Sequence, residues 1–304
     1  MSERIAYLGP PGTFSYLAAR KLVGDEPTLE VELDALYVID AVESGQVDGG
    51  VIALENSLEG EVTSNLDALV LERRECVFAA ELILPVSFTL YRLPGDDAPL
   101  YGVMSHRIAL AQNSRMIRER GLETRDTDST VGACALLAEE LESGWGALAP
   151  PNLTPDLRFG LEPTESDLAD TEENHTRFVL LRKRSPKPSG HDLSAFAILP
   201  SRDEPGSLIR ILQEFSLRHI NLTAIVSRPL REQLGDYAFY LECEGHVSDP
   251  EVAAAVKGVL SFAPETRFLG SFPADPTRPR ASGPSQVERV HAAYAEIASH
   301  IDQA

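Results

Sequence analysis

Short apolar runs alternate with helical patterns from residue 4 to about residue 185, and this alternation constrains the fold more than any other feature. Arg4–Leu8 and Gly49–Leu54 have the length and apolar composition of buried strands. Residues 16–23, between them, carry apolar side chains at helical spacing. Because strands that alternate with crossover helices form one layered sheet, the sequence predicts an α/β fold for this region.

A second, differently patterned region follows residues 184–191, whose sequence Arg-Ser-Pro-Lys-Pro-Ser-Gly-His predicts a linker. Between residues 193 and 270 the apolar patterns predict strand, helix, strand, strand, helix and strand, the βαββαβ order of a ferredoxin-like domain. The tail after Pro273 is rich in turn residues, and residues 286–301 predict an amphipathic helix.

Charge and composition exclude several classes of protein. The chain has 27 Lys and Arg against 47 Asp and Glu, a formal charge of −20, which argues against a nucleic-acid partner or an anionic membrane surface. No apolar run approaches the ~20 residues that cross a bilayer, and the N-terminus lacks the features of an export signal, so a cytoplasmic protein is expected. Cys76, Cys134 and Cys243 are odd in number and widely spaced, which predicts reduced, buried thiols rather than disulfides or a zinc site.

The loop at residues 9–15, Gly-Pro-Pro-Gly-Thr-Phe-Ser, joins the first strand to the first helix. Backbone N–H groups at a helix N-terminus favour an anion such as a carboxylate or a phosphate. The loop matches neither GxGxxG nor the Walker motif, so a nucleotide site lacks support. A simple turn in which Thr13 or Ser15 caps the helix explains the residues equally well.

Three more polar segments stand next to strands. Glu55-Asn56-Ser57 follows a strand, where open α/β sheets bind ligands, although Asn56 and Ser57 are also suited to capping a helix. Ser105-His106 follows a short apolar run, and a single His is more often structural than catalytic. Thr176 and Arg177 begin a strand with side chains on opposite faces, where strand propensity and solvation are the plainer explanations.

Taken in order, these segments resemble the prephenate dehydratase family. The resemblance rests on residues 9–15, on Glu-Asn-Ser-Leu-Glu-Gly at 55–60, on Ser105-His106 with Ala-Leu-Ala-Gln at 109–112, and on Asn-His-Thr-Arg-Phe at 174–178. In the C-terminal region, residues 204–208, 220–223 and 226–229 resemble the amino-acid-sensing ACT module of the same family. Residues 245–246 and 268–272 are similar to the actinobacterial form, and the resemblance covers roughly residues 4 to 273.

The resemblance implies an architecture and a reaction. It implies a two-lobed, periplasmic-binding-protein-like catalytic domain over residues 1–185, with the second lobe at about 80–165 entered through Glu81–Tyr91. An ACT domain at 191–273 and a tail at 274–304 would follow. The family removes the ring hydroxyl and ring carboxylate of prephenate to give phenylpyruvate, CO2 and water in L-phenylalanine biosynthesis. It implies no metal or organic cofactor, because aromatisation drives the reaction and the protein has to position the substrate, neutralise it and donate a proton.

Site residues carry over from the family motifs. Thr176 is expected to donate to the departing hydroxyl and Arg177 to pair with a substrate carboxylate. The other substrate-binding residues implied are Thr13, Phe14, Ser15, Asn56, Ser57, Ser105, His106 and Asn174. The ACT residues implied in binding phenylalanine between subunits of a homodimer or larger oligomer are Gly206, Ser207, Leu208, Asn221, Ser227, Arg228 and Pro229.

Departures from the family pattern keep alternatives open. Asn65 stands in place of a Thr, Arg107 in place of a Pro, and Phe88 where many members have His. Replacing a hydroxyl by an amide at Asn65 would change either how the helix after Glu55 is held or the polarity of the cleft. Such a change favours a relative that decarboxylates prephenate and keeps its hydroxyl. A catalytically inactive amino-acid sensor is a further alternative, and residues 191–273 could serve only dimerisation. Ser207 in place of Ala and Val226 in place of Glu predict weaker feedback inhibition than is usual in the family.

Overall fold

The computed structural model describes residues 2–72, 75–151, 153–154, 156–171, 173–200, 205–230, 237–278 and 293–296. The described residues form two compact units. The first holds residues 2–68, 75–76 and 81–183, and the second holds residues 69–72, 77–80 and those from 184 onward. Of the predicted tail helix at 286–301, residues 293–296 are helical and the others lie outside the described residues.

The chain contains fifteen strands and eight helices among these residues. The strands are β1 (Arg4–Leu8), β2 (Thr28–Glu32), β3 (Gly49–Asn56), β4 (Gly60–Glu61), β5 (Val77–Pro85), β6 (Phe88–Arg92), β7 (Gly102–Ser105), β8 (Glu123–Asp126), β9 (Trp145–Ala149), β10 (Glu162–Leu168), β11 (His175–Arg182), β12 (Asp192–Ile198), β13 (Leu222–Pro229), β14 (Tyr237–Glu244) and β15 (Arg267–Pro273). The helices are α1 (Phe14–Val23), α2 (Ala35–Ser44), α3 (Thr63–Val70), α4 (Arg107–Ala111), α5 (Ser114–Arg120), α6 (Thr130–Glu140), α7 (Ser207–Ser216) and α8 (Pro250–Leu260).

The first sheet has the strand order β2-β1-β3-β11-β5, with β4 paired to the end of β3. Strand β1 runs parallel to β2 and β3, whereas β11 runs antiparallel to β3. Fully buried Ile5, Val51 and Ile39 lie in the core of this lobe. The register of β3 and β11 places Asn56 opposite Thr176, and it therefore brings together two residues 120 positions apart.

The second sheet has the order β10-β6-β9-β7-β8 and a core that includes Met104, Cys134, Leu137 and Trp145. The chain passes from the first sheet to the second between β5 and β6, and it returns between β10 and β11. Two α/β lobes joined by two crossings confirm the expected two-lobed, periplasmic-binding-protein-like architecture. The apolar stretch 81–91 is thus two strands in two different sheets.

The second unit contains a four-stranded antiparallel sheet of order β13-β14-β12-β15. Helices α7 and α8 pack on one face through a core that includes Phe196, Phe215 and Leu241. The element order confirms the predicted βαββαβ fold. Gly270, at φ +135°, is required by close packing, because a Cβ there would lie 2.5 Å from the carbonyl oxygen of Phe78.

All three cysteines are buried and free of disulfides. Burial raises the pKa of Cys134 and of Cys243 to about 12, so neither thiol is a nucleophile near neutral pH. Among the helices that the structure describes, none combines the length and apolarity needed to span a membrane. The cytoplasmic location stays a prediction.

Candidate functional site

A cavity of ≈ 420 Å³ in the first unit is lined by residues of both lobes. It lies where β3 and β7 end and where β11 and α6 begin, the position at which α/β sheets bind ligands. Its lining residues are Phe14, Asn56, Glu59, Gly60, Glu61, Val62, Val86, Phe88, His106, Ile108, Ala109, Gln112, Thr130 and Thr176. Four of the ten predicted catalytic and substrate-binding residues are among them: Phe14, Asn56, His106 and Thr176.

The Thr176 hydroxyl is oriented by Asn56. The Asn56 Oδ1 atom accepts hydrogen bonds from the backbone N–H groups of Leu58 (2.9 Å) and Glu59 (3.1 Å), which fixes the direction of the amide. Its Nδ2 atom then donates to Thr176 Oγ1 at 2.9 Å. Because that oxygen is already an acceptor, and no described residue accepts from it, the Thr176 O–H is available to donate into the cavity.

The same amide begins a chain of hydrogen bonds that reaches the second lobe. Asn56 Nδ2 also donates to Asn174 Oδ1 at 3.0 Å, and Asn174 Nδ2 donates to Gln112 Oε1 at 3.0 Å. We call Asn56, Asn174 and Gln112 the amide chain. Asn174 is buried and is not a lining residue, whereas Gln112 lines the cavity. Gln112 is not among the site residues predicted from the sequence, although it ends the Ala-Leu-Ala-Gln segment at 109–112 on which the family resemblance partly rests.

Ser57 holds the backbone beside the cavity and is not among the lining residues. Its Oγ donates to the carbonyl of Glu173 (2.7 Å) and accepts from the N–H of His175 (2.9 Å). Ser57 therefore joins the end of β3 to the start of β11.

The glycine-containing loop contributes an aromatic wall. Thr13 caps α1, accepting from the N–H of Tyr16 (3.4 Å) and donating to the carbonyl of Pro10 (3.0 Å). Neither Thr13 nor Ser15 lines the cavity, whereas Phe14 does and packs edge-on against Phe88 with ring centroids 5.6 Å apart. The structure thus supports the capping interpretation for Thr13.

Ser105 and His106 have different surroundings. Ser105 is fully buried and donates to the carbonyl of Leu148 at 2.6 Å, away from the lining. His106 lines the cavity and caps α4, its Nδ1 accepting from the N–H of Ile108 at 3.4 Å. With Nδ1 as acceptor, the neutral ring carries its proton on Nε2.

Arg177 differs from the expectation that it faces a substrate carboxylate. It lies on the face of β11 opposite Thr176, and its Nε donates to Glu81 Oε2 at 2.7 Å. The side chains of Arg177 and Glu81 are 8% and 0% exposed, and neither residue lines the cavity. Strand alternation is the physical reason, because two consecutive residues cannot both face one side of the sheet.

The described lining of the cavity has acidic side chains but no Lys or Arg to attract an anion. Glu59 and Glu61 are exposed carboxylates at the wall, and the described lining residues include neither Lys nor Arg. The hydrogen-bond donors that the described lining side chains offer to an anion are therefore the hydroxyl, amide and imidazole groups named above. In the described part of the chain, no three Asp, Glu, His or Cys side chains are grouped to hold a metal ion.

The positions that depart from the family pattern affect the cavity unequally. Asn65 lies in α3 and its Nδ2 donates to the carbonyl of Ala53 at 2.8 Å, so it holds the helix on β3 and is not a lining residue. Arg107 is exposed and also outside the lining. Phe88 is buried at the wall. Of the two expected effects of Asn65, the geometry agrees with the one on how the helix after Glu55 is held, and not with a change of cavity polarity.

The predicted phenylalanine-binding residues occupy two ends of one sheet. Gly206 caps α7 at φ +92°, with Ser207 and Leu208 in the first turn. Strands β12 and β13 are both antiparallel to β14, so Ser227, Arg228 and Pro229 lie at the same end of the sheet as the start of α7. Asn221 precedes the other end of β13, about 20 Å from Ser227 at the rise of an extended strand.

Two family models match the chain, and several known proteins resemble it over most of its length. The family model described as prephenate dehydratase matches residues 5–186, and the ACT domain model matches residues 201–261. A prephenate dehydratase of Mycobacteroides abscessus is 36% identical over 97% of each chain. The crystal structure of prephenate dehydratase from Arthrobacter aurescens in complex with L-Phe is 28% identical, with a TM-score of 0.83 over 99% of this chain and 100% of that one. GqqA, described as a novel type of quorum quenching acylase, is also 28% identical, with a TM-score of 0.78 over 91% and 99% of the two chains.

Proposed function

Because this chain belongs to the prephenate dehydratase family, we propose that it converts prephenate to phenylpyruvate, CO2 and water in the cavity described above. The bond from the ring to its carboxylate breaks and releases CO2, and the electron pair of that bond enters the ring. The ring C–O bond breaks at the opposite carbon, and the departing hydroxyl takes up one proton to form water. No oxidant or reductant is required, because the ring becomes aromatic.

The observation that carries the proposal is the Thr176 hydroxyl, which accepts from Asn56 and has no acceptor for its own O–H among the described residues. A threonine hydroxyl is a weak acid, so it acts as a positioned donor that stabilises charge on the leaving oxygen. The edge-packed rings of Phe14 and Phe88 provide an apolar wall suited to the substrate ring. A volume of ≈ 420 Å³ is within the usual range for a small-molecule site.

The test is to incubate the protein with prephenate at neutral pH, where spontaneous conversion is slow, and to identify the product by NMR. We expect the aromatic ring protons of phenylpyruvate. Thr176→Val keeps the shape and removes the donor, and we expect kcat to fall by about 10²- to 10⁴-fold. Thr176→Ser, which keeps a hydroxyl, is the matched control and should retain much more activity. Equal activity in the wild type and the Val variant would contradict the role of Thr176.

The relatives do not favour the alternatives that the sequence left open. A non-aromatising decarboxylase would yield a product that has lost CO2 but keeps its hydroxyl, and the same NMR spectrum would identify it. An inactive sensor would leave prephenate unconsumed. An acylase activity such as the one named for GqqA would require an activated nucleophile. Thr176 Oγ1 accepts from an amide, and no described side chain hydrogen-bonds to it as a base.

The ACT domain is proposed to bind L-phenylalanine between two chains and to inhibit the enzyme. Asn221 is about 20 Å along β13 from Ser227, so a small amino acid contacts all seven predicted residues only if a second chain supplies part of the site. Phenylalanine must then bind the inhibited state more tightly than the active one. Sedimentation of the full chain should show a homodimer or larger oligomer, and a monomer in the presence of phenylalanine would overturn this part of the proposal.

Ser207 and Val226 are expected to weaken that inhibition. A polar hydroxyl in place of a methyl group, and the loss of a carboxylate, each remove a contact that the family pattern provides. We expect Ser207→Ala to increase phenylalanine affinity, measured by titration calorimetry, and to leave kcat unchanged without phenylalanine. Tight binding and full inhibition of the wild type would contradict the prediction.

A further inference from the structure

In the amide chain, each side-chain amide donates to the next one, from Asn56 in the first lobe through Asn174 to Gln112 in the second. Its direction is set at Asn56, whose Oδ1 accepts from two backbone N–H groups that can only donate. Nδ2 of Asn56 must therefore face Asn174 Oδ1, and Nδ2 of Asn174 must face Gln112 Oε1. Because Gln112 Oε1 accepts from Asn174, the side-chain atom of Gln112 that remains for a ligand is Nε2, which can only donate.

Both ends of this network are consequently donors at the cavity. One end is the Thr176 O–H, and the other is the Gln112 N–H₂ group, for which the described residues provide no acceptor. This matters because the described lining has no Lys or Arg and includes two carboxylates. The affinity of such a wall for an anion depends on which atom of each amide it presents.

We propose that Asn174 is a positioning residue that fixes the donor polarity of the cavity by holding Gln112 with its N–H₂ group toward the substrate anion. This inference rests on the proposed function and goes beyond it, since Asn174 is 1% exposed and is not a lining residue. It replaces the expectation that Asn174 binds substrate directly. The backbone N–H of Val86 donates to the Asn174 carbonyl at 2.8 Å, which anchors the residue that turns the chain into β11.

The direct test is Asn174→Asp, which has the same shape but only acceptors on its ionised side chain. Gln112 must then turn its N–H₂ group toward the new carboxylate and present Oε1 to the substrate. We expect KM for prephenate to rise about 10- to 100-fold, the loss of a hydrogen bond to a charged group. Asn174→Ala leaves Gln112 able to rotate, so we expect a smaller rise in KM.

Comparing KM for prephenate between Asn174→Asp and Asn174→Ala distinguishes a role in orienting Gln112 from a purely structural role. If Asn174 were only structural, the alanine variant would be the worse of the two, because it removes both hydrogen bonds and leaves a cavity. A larger KM for Asn174→Ala than for Asn174→Asp therefore overturns the inference. Thermal unfolding of both variants identifies any loss of folded protein, and KM measured on the folded fraction remains informative.

A second pair of variants distinguishes the effect of turning the Gln112 amide from repulsion between the new carboxylate and the substrate anion. In a Gln112→Ala background no amide can turn, so Asn174→Asp should add less than a twofold further rise in KM. Repulsion of the anion by the new carboxylate would instead persist undiminished, and that result would contradict the proposal. Lowering the pH to protonate the introduced carboxyl should also lower KM in the single Asp variant relative to the wild type.

Failure of the proposed function is distinguishable from failure of this inference. If the wild type does not convert prephenate, the proposed function fails. The same variants can then be titrated with phenylpyruvate by calorimetry, where the dissociation constant should rise most for Asn174→Asp. Equal binding by the wild type and both variants would overturn the role of Asn174.

Discussion

Two polar clusters of the first unit use their hydrogen bonds in opposite ways. Around Asp96, one carboxylate accepts from the Ser143 hydroxyl (2.7 Å), the N–H groups of Gly144 (2.9 Å) and Ala98 (3.2 Å), and the Arg92 guanidinium (2.8 Å). The acceptor of all four donors is the Asp96 carboxylate, whose side chain is only 7% exposed. None of these four donors is therefore left for a ligand. The amide chain instead ends on two donors at a cavity. A saturated network stabilises a loop, whereas one with donors left over is suited to binding an anion.

The two faces of β11 repeat this difference within one strand. Thr176, on one face, lines the cavity with its O–H available, while Arg177, on the other, forms a buried ion pair with Glu81. A buried guanidinium must be paired to avoid a large desolvation penalty. We therefore expect the Arg177 face to contribute to stability and the Thr176 face to contribute to the proposed reaction.

The largest predicted effect is the loss of that ion pair. Glu81→Gln removes the carboxylate of this buried ion pair, and we expect the free energy of unfolding to fall by about 3–5 kcal/mol. Urea unfolding measures it, with the exposed Glu139→Gln as the control. On the folded fraction we expect KM for prephenate to be unchanged. A rise in KM with no loss of stability would instead place Arg177 in substrate binding, as the family motif implies.

The next effect concerns the Asp96 cluster. The N–H of Gly144 and the hydroxyl of Ser143 lower the pKa of Asp96 from 3.8 to about 2. Because the folded-state pKa is depressed, this stabilisation is present above the unfolded value and is lost as pH falls toward the folded one. We expect Asp96→Asn to lower the Tm by several degrees at pH 7, with kcat retained.

The pH dependence sharpens that prediction. The difference in stability between the wild type and Asp96→Asn should be constant above about pH 5 and should close between about pH 4 and pH 2. The neighbouring Asp97 is exposed, so Asp97→Asn is the matched control and should leave the Tm unchanged. A difference that persists undiminished at pH 2 would mean that the ionised carboxylate is not what stabilises the loop.

The fold was more predictable from the sequence than the hydrogen-bond networks were. Periodicity was sufficient for the α/β lobes and the βαββαβ domain, because burial repeats every two or 3.6 residues along the chain. It could not divide residues 81–91 between two sheets, since one apolar run suits either. Strand alternation correctly predicted that Thr176 and Arg177 lie on opposite faces of the sheet, whereas the family motif implied that both contact the substrate. The contact of Arg177 with Glu81 joins positions 96 apart, which no local pattern reveals.

The cavity itself was the least predictable feature. Gln112 acquires its role from the direction of a hydrogen bond that begins at Leu58 and Glu59 and passes through Asn56 and Asn174. Such a direction depends on three segments meeting in space and has no signature in composition or spacing. Sequence reasoning finds the residue types of a site more readily than the atom that each one presents.

The smallest predicted effect tests whether the wall relies on neutral donors. Glu61 is an exposed carboxylate that lines the cavity, and its register partner across the β3–β4 ladder is Glu55. Glu61→Gln removes repulsion at an exposed position, and we expect KM for prephenate to fall about two- to fivefold, with kcat nearly unchanged. The gain should disappear in high salt, because exposed charges are screened. Glu139→Gln has the same charge change outside the lining and should not alter KM. If KM instead rises for Glu61→Gln, the carboxylate contributes a favourable contact, and binding would not rest on the neutral donors of Thr176 and Gln112 alone.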